Sequence, residues 1–408
     1  MVQTGEYSAG DTLRITQPLR LSRFLQLEAL GERDATLFLS HDGARVRIPV
    51  ALYALLMRFE QPQRIDAVVA GHPQAKKVAQ ALLSLSRKGF LHDAGMEPAG
   101  RERLVTDPPQ RMFDSPAFKL GMTRAEMVVV GVPSDHADPR CAGGRAAPMA
   151  LRELSLHLLH TINRRTGGGH GWYDADGLRP LLCGVCLADA GDVFVDPGES
   201  QHAVFQRMAQ VLAGFDDAVP IVIGGDSTAC WPVLTRYASQ EPVSLLRIGG
   251  PAQREPAPGG VVSSATLLAR AIALDGVAGT LQIAAAGGPG AWKHPDHRYM
   301  DASALREGSY DQTLHEWLAG RPVHLGLNLD ALDAPGEPPS DERLRYQEVV
   351  DFIAWIGAQC RIVSIDITGM TPMRPGWNVV APTALHLLVL AMDAAHRQAG
   401  PGVEQHAA

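Results

Sequence analysis

Apolar positions along this chain change their spacing twice, and each change marks a new kind of element. Residues 25–30, 35–40 and 45–48 are short apolar or alternating runs, the last being Arg45-Val46-Arg47-Ile48, and His41-Asp42-Gly43 between the second and third reads as a hairpin turn. After Pro49 the period becomes helical. Leu52, Leu55, Leu56 and Phe59 make one stripe, Ile65, Val68 and Val69 a second, and Val78, Leu82 and Leu85 a third that closes on Gly89-Phe90-Leu91. Gly95, Pro98, Gly100, a charged run, Pro108-Pro109 and Pro116 then predict a linker. Beyond it, 127–131, 220–224, 243–247, 280–284, 323–329 and 361–366 are continuous apolar runs. Helical patterns at 201–214, 264–273, 345–357 and 382–396 stand between several of them or follow the last. Strands buried on both faces have this signature, so a parallel sheet covered by helices is expected, with ligands at the carboxyl ends of its strands.

The expected organisation is therefore a small α+β winged-helix domain over 1–93, a linker over 94–124, a three-layer α/β domain with a parallel sheet over 125–397, and a disordered tail over 398–408. At 408 residues, 46% hydrophobic and 20% charged, the chain is long enough for one large and one small core. Its net charge of −7 supplies no global attraction to nucleic acid or to an anionic membrane. In the small domain Lys76-Lys77 and Arg87-Lys88 are nearly balanced by interspersed acids, so DNA reading is disfavoured. No run approaches the roughly 18 apolar residues of a membrane span, and the first residues show no signal-peptide pattern. A cytoplasmic location is expected.

Five scattered cysteines do not make a disulfide framework. Cys183-Gly-Val-Cys186 has redox or zinc-knuckle spacing, but a second pair of Cys or His is missing close by, so the coincidental reading is preferred. Cys230 and Cys360 sit in apolar runs and read as core residues. Asp226, Asp330, Asp333 and Asp366, with His294, His297 and His324 in neighbouring segments, are the candidates for acid–base chemistry. The competing reading is that such strand-end aspartates cap helices and hold loops. His294-x-x-His297 is a weak metal signal.

The strand Ile221-Val222-Ile223 running into Gly224-Gly225-Asp226-Ser227 resembles the Gly-Gly-Asp-His-Ser turn of the ureohydrolases, the arginase and agmatinase family. Gly131-Val-Pro133, the run Gly143-Gly-Arg145-Ala-Ala-Pro148-Met-Ala-Leu-Arg152 and Asp189-Ala-Gly191-Asp192 are similar to that family's frame motifs, in the same order. The resemblance implies an arginase-like fold and six manganese ligands, and most of those positions have changed. The histidine of the turn is Ser227. The family's Asp-Ala-His-x-Asp reads Gly249-Gly250-Pro251-Ala252-Gln253, and its Asp-x-Asp reads Asn328-Leu329-Asp330. The glutamate that helps hold the guanidinium substrate stands as Gly369. With five of six ligands absent, two dications would face one carboxylate. Burying uncompensated charge costs at least several kcal/mol, and Ser, Gln and Asn are weak replacements for carboxylate and imidazole. No metal or cofactor is expected.

The order of strands and helices in the small domain resembles the leader-peptide recognition elements of peptide-modifying enzymes. That resemblance implies a peptide groove formed by Arg45, Val46, Arg47, Ile48, Lys76, Gln80 and Leu83, in which the leader adds as an edge strand. A second, degenerate cleft for the core peptide is expected at Asp226, Ser227, Gln253, Asn328 and Asp330. The leading expectation is a catalytically silent, metal-free protein that presents a ribosomal precursor peptide to modifying enzymes, similar to the peptide-binding proteins of crocagin-type pathways. The alternatives are a divergent hydrolase or metal-independent enzyme acting on a peptide, and a regulatory pseudoenzyme subunit. A homo-oligomer is compatible with each.

Overall fold

The computed structural model describes residues 14–40, 43–94, 104–119, 123–166, 172–174, 177–256, 261–308, 312–318, 320–333 and 341–399. These fall into two compact units. The smaller holds the described residues up to 94 together with Phe194–Gln206 and Val261; the larger holds those of Leu104–Val193 and Arg207–Pro256 and those from Val262 onward.

In the smaller unit, β2 (Leu25–Leu30), β3 (Asp34–Leu39) and β4 (Arg45–Pro49) form an antiparallel sheet in that order, and β1 (Leu19–Leu21) pairs with β5 (Leu91–Asp93). Residues 41 and 42 of the expected hairpin lie outside the described residues. Helices Val50–Met57, Ile65–Val68 and Ala75–Arg87 follow where the apolar stripes predict them. Period-2 alternation does its work in β4: Arg45, Arg47 and Pro49 face solvent while Ile48 joins the core. Two groove assignments need correcting, because Ile48 and Leu83 are both buried in this core and present nothing to a ligand. Leu83 points inward since it lies one position from Leu82 on a helix that buries a broad apolar face. Lys76 and Gln80, one turn apart, are exposed on the opposite side.

The larger unit is built on a nine-stranded sheet. Its strands are β6 (Val105–Thr106), β7 (Met127–Val132), β10 (Leu187–Val193), β11 (Val219–Gly224), β12 (Val243–Ile248), β13 (Val277–Ile283), β14 (His297–Met300), β15 (Pro322–Asn328) and β16 (Arg361–Thr368). A separate hairpin contains β8 (Trp172–Asp174) and β9 (Arg179–Leu181). Across the sheet the order is β14-β13-β12-β15-β16-β11-β7-β10-β6, parallel except for β6, which runs antiparallel to β10. Val105–Thr106 therefore belongs to the sheet, a correction to the expected linker over 94–124; residues 95–103 and 120–122 of that span lie outside the described residues. The last helix, Trp377–Ala399, is long and apolar enough to cross a membrane, yet 67% of that apolar window is buried inside the fold. It also extends past the expected start of the tail at 398, and residues 400–408 are outside the described set.

The motifs shared with the ureohydrolases act as joinery. Arg152, on the helix Ala147–Thr166, places Nε 2.8 Å and Nη2 3.0 Å from the two carboxylate oxygens of Asp189, and its Nη1 bonds Asp192. All of this lies under Gly131, where a Cβ would overlap the Asp192 carboxylate.

Candidate functional site

Four strand ends converge where the sequence predicts a ligand site. At the end of β11, Asp226 caps the short turn Ser227–Cys230. Its Oδ1 accepts from Thr228 N–H at 2.9 Å and Thr228 Oγ1 at 2.6 Å, and its Oδ2 accepts from Ala137 N–H at 3.1 Å. Burial pushes its pKa up, against those hydrogen bonds. Asp226 is thus a fixed structural cap. Ser227 and Asn328 are buried against each other, with Asn328 Nδ2 donating to Ser227 Oγ at 2.9 Å.

The loop after β12 is shaped by glycine. Gly249 has φ +77°, and a Cβ there would lie 2.5 Å from Asn328 O and 2.9 Å from Asp330 Oδ1, so no aspartate fits at this position in this backbone. Gln253 is fully committed: its Nε2 donates to Pro251 O and Ser264 O at 2.9 and 3.1 Å, and its Oε1 accepts from Leu268 N–H at 2.9 Å. Gly369, with φ +77°, has Asn328 Oδ1 in the space a side chain would need.

The six residues at the manganese-ligand positions therefore do not fit a metal pair. Ser227 and Asn328 satisfy one another, Gln253 ties down a loop, Gly249 and Pro251 offer no side-chain donor, and Asp330 is the one carboxylate left. The peptide cleft needs the same correction: Asp226, Ser227, Gln253 and Asn328 are buried and internally bonded, and of the five residues assigned to it only Asp330 reaches solvent.

Asp330 follows β15 in the turn Leu329–Ala331, with its side chain 25% exposed. Its Oδ1 accepts from Gly250 N–H at 2.8 Å and its Oδ2 lies 3.3 Å from Arg140 Nη2. Burial drives its pKa up, an effect that the Gly250 hydrogen bond and the Arg140 charge only partly oppose. Arg140 also chelates Asp138, through Nε at 3.1 Å and Nη2 at 2.8 Å, and although burial pushes Asp138 up, these bonds leave it below the usual carboxylate range. One carboxylate is raised and its neighbour lowered around a shared guanidinium. This arrangement was not legible in the sequence, since Asp138 and Arg140 lie in a loop after β7 with no motif to single them out.

Beneath the strand ends lies a second cluster. Arg247 on β12 is 1% exposed, and its Nη2 sits 3.1 and 2.9 Å from the carboxylate oxygens of Asp366 on β16. His324 on β15 completes it, with Nε2 2.7 Å from Asp366 Oδ2 and Nδ1 2.7 Å from Ser364 Oγ. Cys230 Sγ is 3.5 Å from Arg247 Nη2, and burial pushes the thiol up to about 12. Both ring nitrogens of His324 are occupied, so it is no general base for Cys230. Of the other sequence candidates, His294 stacks on Trp292, and His297, at the start of the edge strand β14, packs tilted against the same ring and bonds Thr280 Oγ1 at 2.8 Å. The Arg247 cluster was foreshadowed by one signal, a charged residue inside an otherwise apolar strand. Cys183 and Cys186 are exposed, and both are free thiols.

The profile of the arginase family matches residues 125–391. This chain belongs to the arginase family. Its relatives include the N(1)-aminopropylagmatine ureohydrolase of Thermococcus kodakarensis, 25% identical over 280 residues, which are 66% of this chain and 91% of that protein. The mitochondrial guanidino acid hydrolase of Homo sapiens is 26% identical over 330 residues, 72% of this chain and 88% of that protein. Among solved structures, a hypothetical agmatinase from Burkholderia thailandensis superposes with a TM-score of 0.59 at 19% identity, covering 74% of this chain and 97% of its own. The proclavaminate amidino hydrolase of Streptomyces clavuligerus does so with 0.56 at 22%, covering 72% and 99%. At that identity the structural likeness establishes the fold. The comparisons overturn the expectation of a catalytically silent peptide-presenting protein, because the arginase-family relatives that match most of this chain are hydrolases.

Proposed function

We propose that this arginase-family chain is a divergent hydrolase that cleaves a carbon–nitrogen bond on a peptide substrate without a metal pair. One observation carries the reading. The single carboxylate kept at the ligand positions, Asp330, is also the one still open to solvent, and burial raises its pKa toward the range where a carboxylate exchanges protons readily. In this reading Asp330 takes a proton from an attacking water and returns it to the departing nitrogen, and Arg140 steadies charge at the reacting carbon. Asp138 and Asp330 share the single guanidinium of Arg140, an arrangement that favours a cationic substrate group of the guanidinium kind beside them. General acid–base catalysis by one such group contributes about 10²–10⁴-fold, so slow turnover is expected.

The peptide part of the proposal rests on the smaller unit. In the β2-β3-β4 sheet β4 is an edge strand, with Arg45 and Arg47 exposed and Val46 half-buried, a surface on which an extended segment pairs as an added strand. Lys76 and Gln80 are exposed on the third helix of the same unit. A winged-helix leader-recognition role, a ribosomal precursor peptide as partner and work beside other modifying enzymes in the cytoplasm follow as one proposal. Tethering the leader raises the effective concentration of the reacting segment, which compensates a weak active site.

The test is product release by the full-length protein from agmatine, guanidino acids and arginine-containing peptides, in the presence of EDTA. Chelator-insensitive release of urea or ammonia that disappears in Asp330→Asn is the expected result. No hydrolysis of any of these, or activity that needs added manganese, overturns the reading.

A further inference from the structure

We infer that Arg247 is a resident cation, a guanidinium lodged in a site of metal-ligand type that it keeps closed to metal. Cys230 Sγ, a ring nitrogen of His324 and a carboxylate oxygen of Asp366 all lie within 4.8 Å of one another, and all three residues are buried. Thiolate, imidazole and carboxylate make a donor set suited to zinc or cobalt. This cluster is distinct from the ligand positions inherited from the family, which lie at the strand ends, whereas His324, Arg247 and Asp366 sit further back along β15, β12 and β16.

The guanidinium is already among these donors. Arg247 Nη2 touches both Asp366 oxygens and Cys230 Sγ, and lies 3.4 Å from Ser227 O. It supplies the positive charge that the buried Asp366 requires, and His324 adds a hydrogen bond at 2.7 Å. The backbone is cut to allow this. Arg247, Gly326 and Asp366 are register partners on three successive strands, so the arginine must pass over β15 to reach its carboxylate. A Cβ at Gly326 would lie 2.8 Å from Arg247 Nη2 and 2.7 Å from Asp366 Oδ2. Arg247 Nε and Nη1 are buried without a hydrogen-bond partner among the described residues, so the side chain is held by its Nη2 edge alone. A group held by one edge in a donor set of this kind is a replaceable occupant. When it is removed, Asp366 needs another cation and the three donors are free to bind one.

Cobalt(II) titration of the full-length protein tests this, because cobalt bound to a thiolate absorbs strongly in the near ultraviolet. Wild-type protein is expected to show no such band. Arg247→Ala is expected to bind about one ion per chain with thiolate absorption, and Arg247→Ala/Cys230→Ser to lose that absorption. A Cys230-dependent band in the wild type, or a folded Arg247→Ala protein that takes up no cobalt, overturns the inference. If Arg247→Ala does not fold alone, it is refolded with cobalt(II) or with millimolar methylguanidinium. Recovery of the native circular dichroism with either cation supports the resident-cation role, and recovery with neither overturns it. Arg247→Lys, which keeps a charge on a long stem, is expected to fold and to exclude cobalt.

Discussion

Arg247 reaches Asp366 across a strand rather than beside one. Their guanidinium and carboxylate meet at 2.9 Å over Gly326, whose missing side chain is the channel through which the pair forms. Both partners are essentially excluded from solvent, so stranding either one leaves a buried charge uncompensated. Arg247→Met and Asp366→Asn are each expected to destabilise the larger unit by about 3–5 kcal/mol, while the double variant loses less than the sum. Denaturant unfolding of the four proteins checks this; additive losses would mean the pair is not coupled.

Gly326→Ala places a methyl group against the same two side chains. An overpacked site of this kind costs about 1–3 kcal/mol, and the loss is expected to shrink markedly in the Arg247→Met background, where the guanidinium is no longer in the way. Equal losses in both backgrounds would locate the clash elsewhere.

Restoring individual metal ligands is expected to fail. Ser227→His/Asn328→Asp breaks the Ser227–Asn328 bond but leaves Gly249 in a left-handed turn closed to an aspartate and Gln253 tied into its loop. Elemental analysis after manganese incubation and desalting should find no stoichiometric metal. Tight binding of two ions per chain would show that the loop rearranges readily around the cations.

Asp330 and Arg140 predict a pH dependence for any hydrolytic activity. A base whose pKa is raised by burial works only once deprotonated, so the rate should climb with pH through a value above the ordinary carboxylate range. Because the Arg140 charge holds that value down, Arg140→Met should shift the rising limb to higher pH. An unshifted limb would remove Asp330 from the role of base.

His297 carries a stability prediction. Burial, with the Lys293 and His294 charges, lowers its pKa from 6.5 to about 4, so the folded state resists a proton that the unfolded chain accepts. Its contribution is complete above about pH 6.5 and is lost as the pH falls toward 4. Thermal midpoints from pH 7.5 to 4 should decline less steeply in His297→Asn than in the wild type; parallel curves would refute the assignment.

The sequence by itself determined the sheet and its neighbours in considerable detail. Continuous apolar runs marked β7, β11, β12, β13, β15 and β16, because strands covered on both faces can carry little else, and helical stripes marked the helices Gln201–Ala213, Leu267–Ala271, Tyr346–Gln359 and Trp377–Ala399. β10 escaped that reading since Leu187–Val193 contains Asp189 and Asp192, whose charges are neutralised by Arg152 from a distant helix. The residue types at the positions where the resemblance implies manganese ligands were equally legible, since they are read directly from the sequence.

Tertiary structure alone decided what took their place. Whether Gln253 faces a ligand or a loop, whether Leu83 lines a groove or a core, and whether Arg247 meets Asp366 all depend on backbone direction and on contacts between residues as much as 119 positions apart. Local pattern records which side chains avoid water. It carries no information on which buried charge answers another, because that pairing is set by strand order and register, and here by the absence of a single Cβ at Gly326.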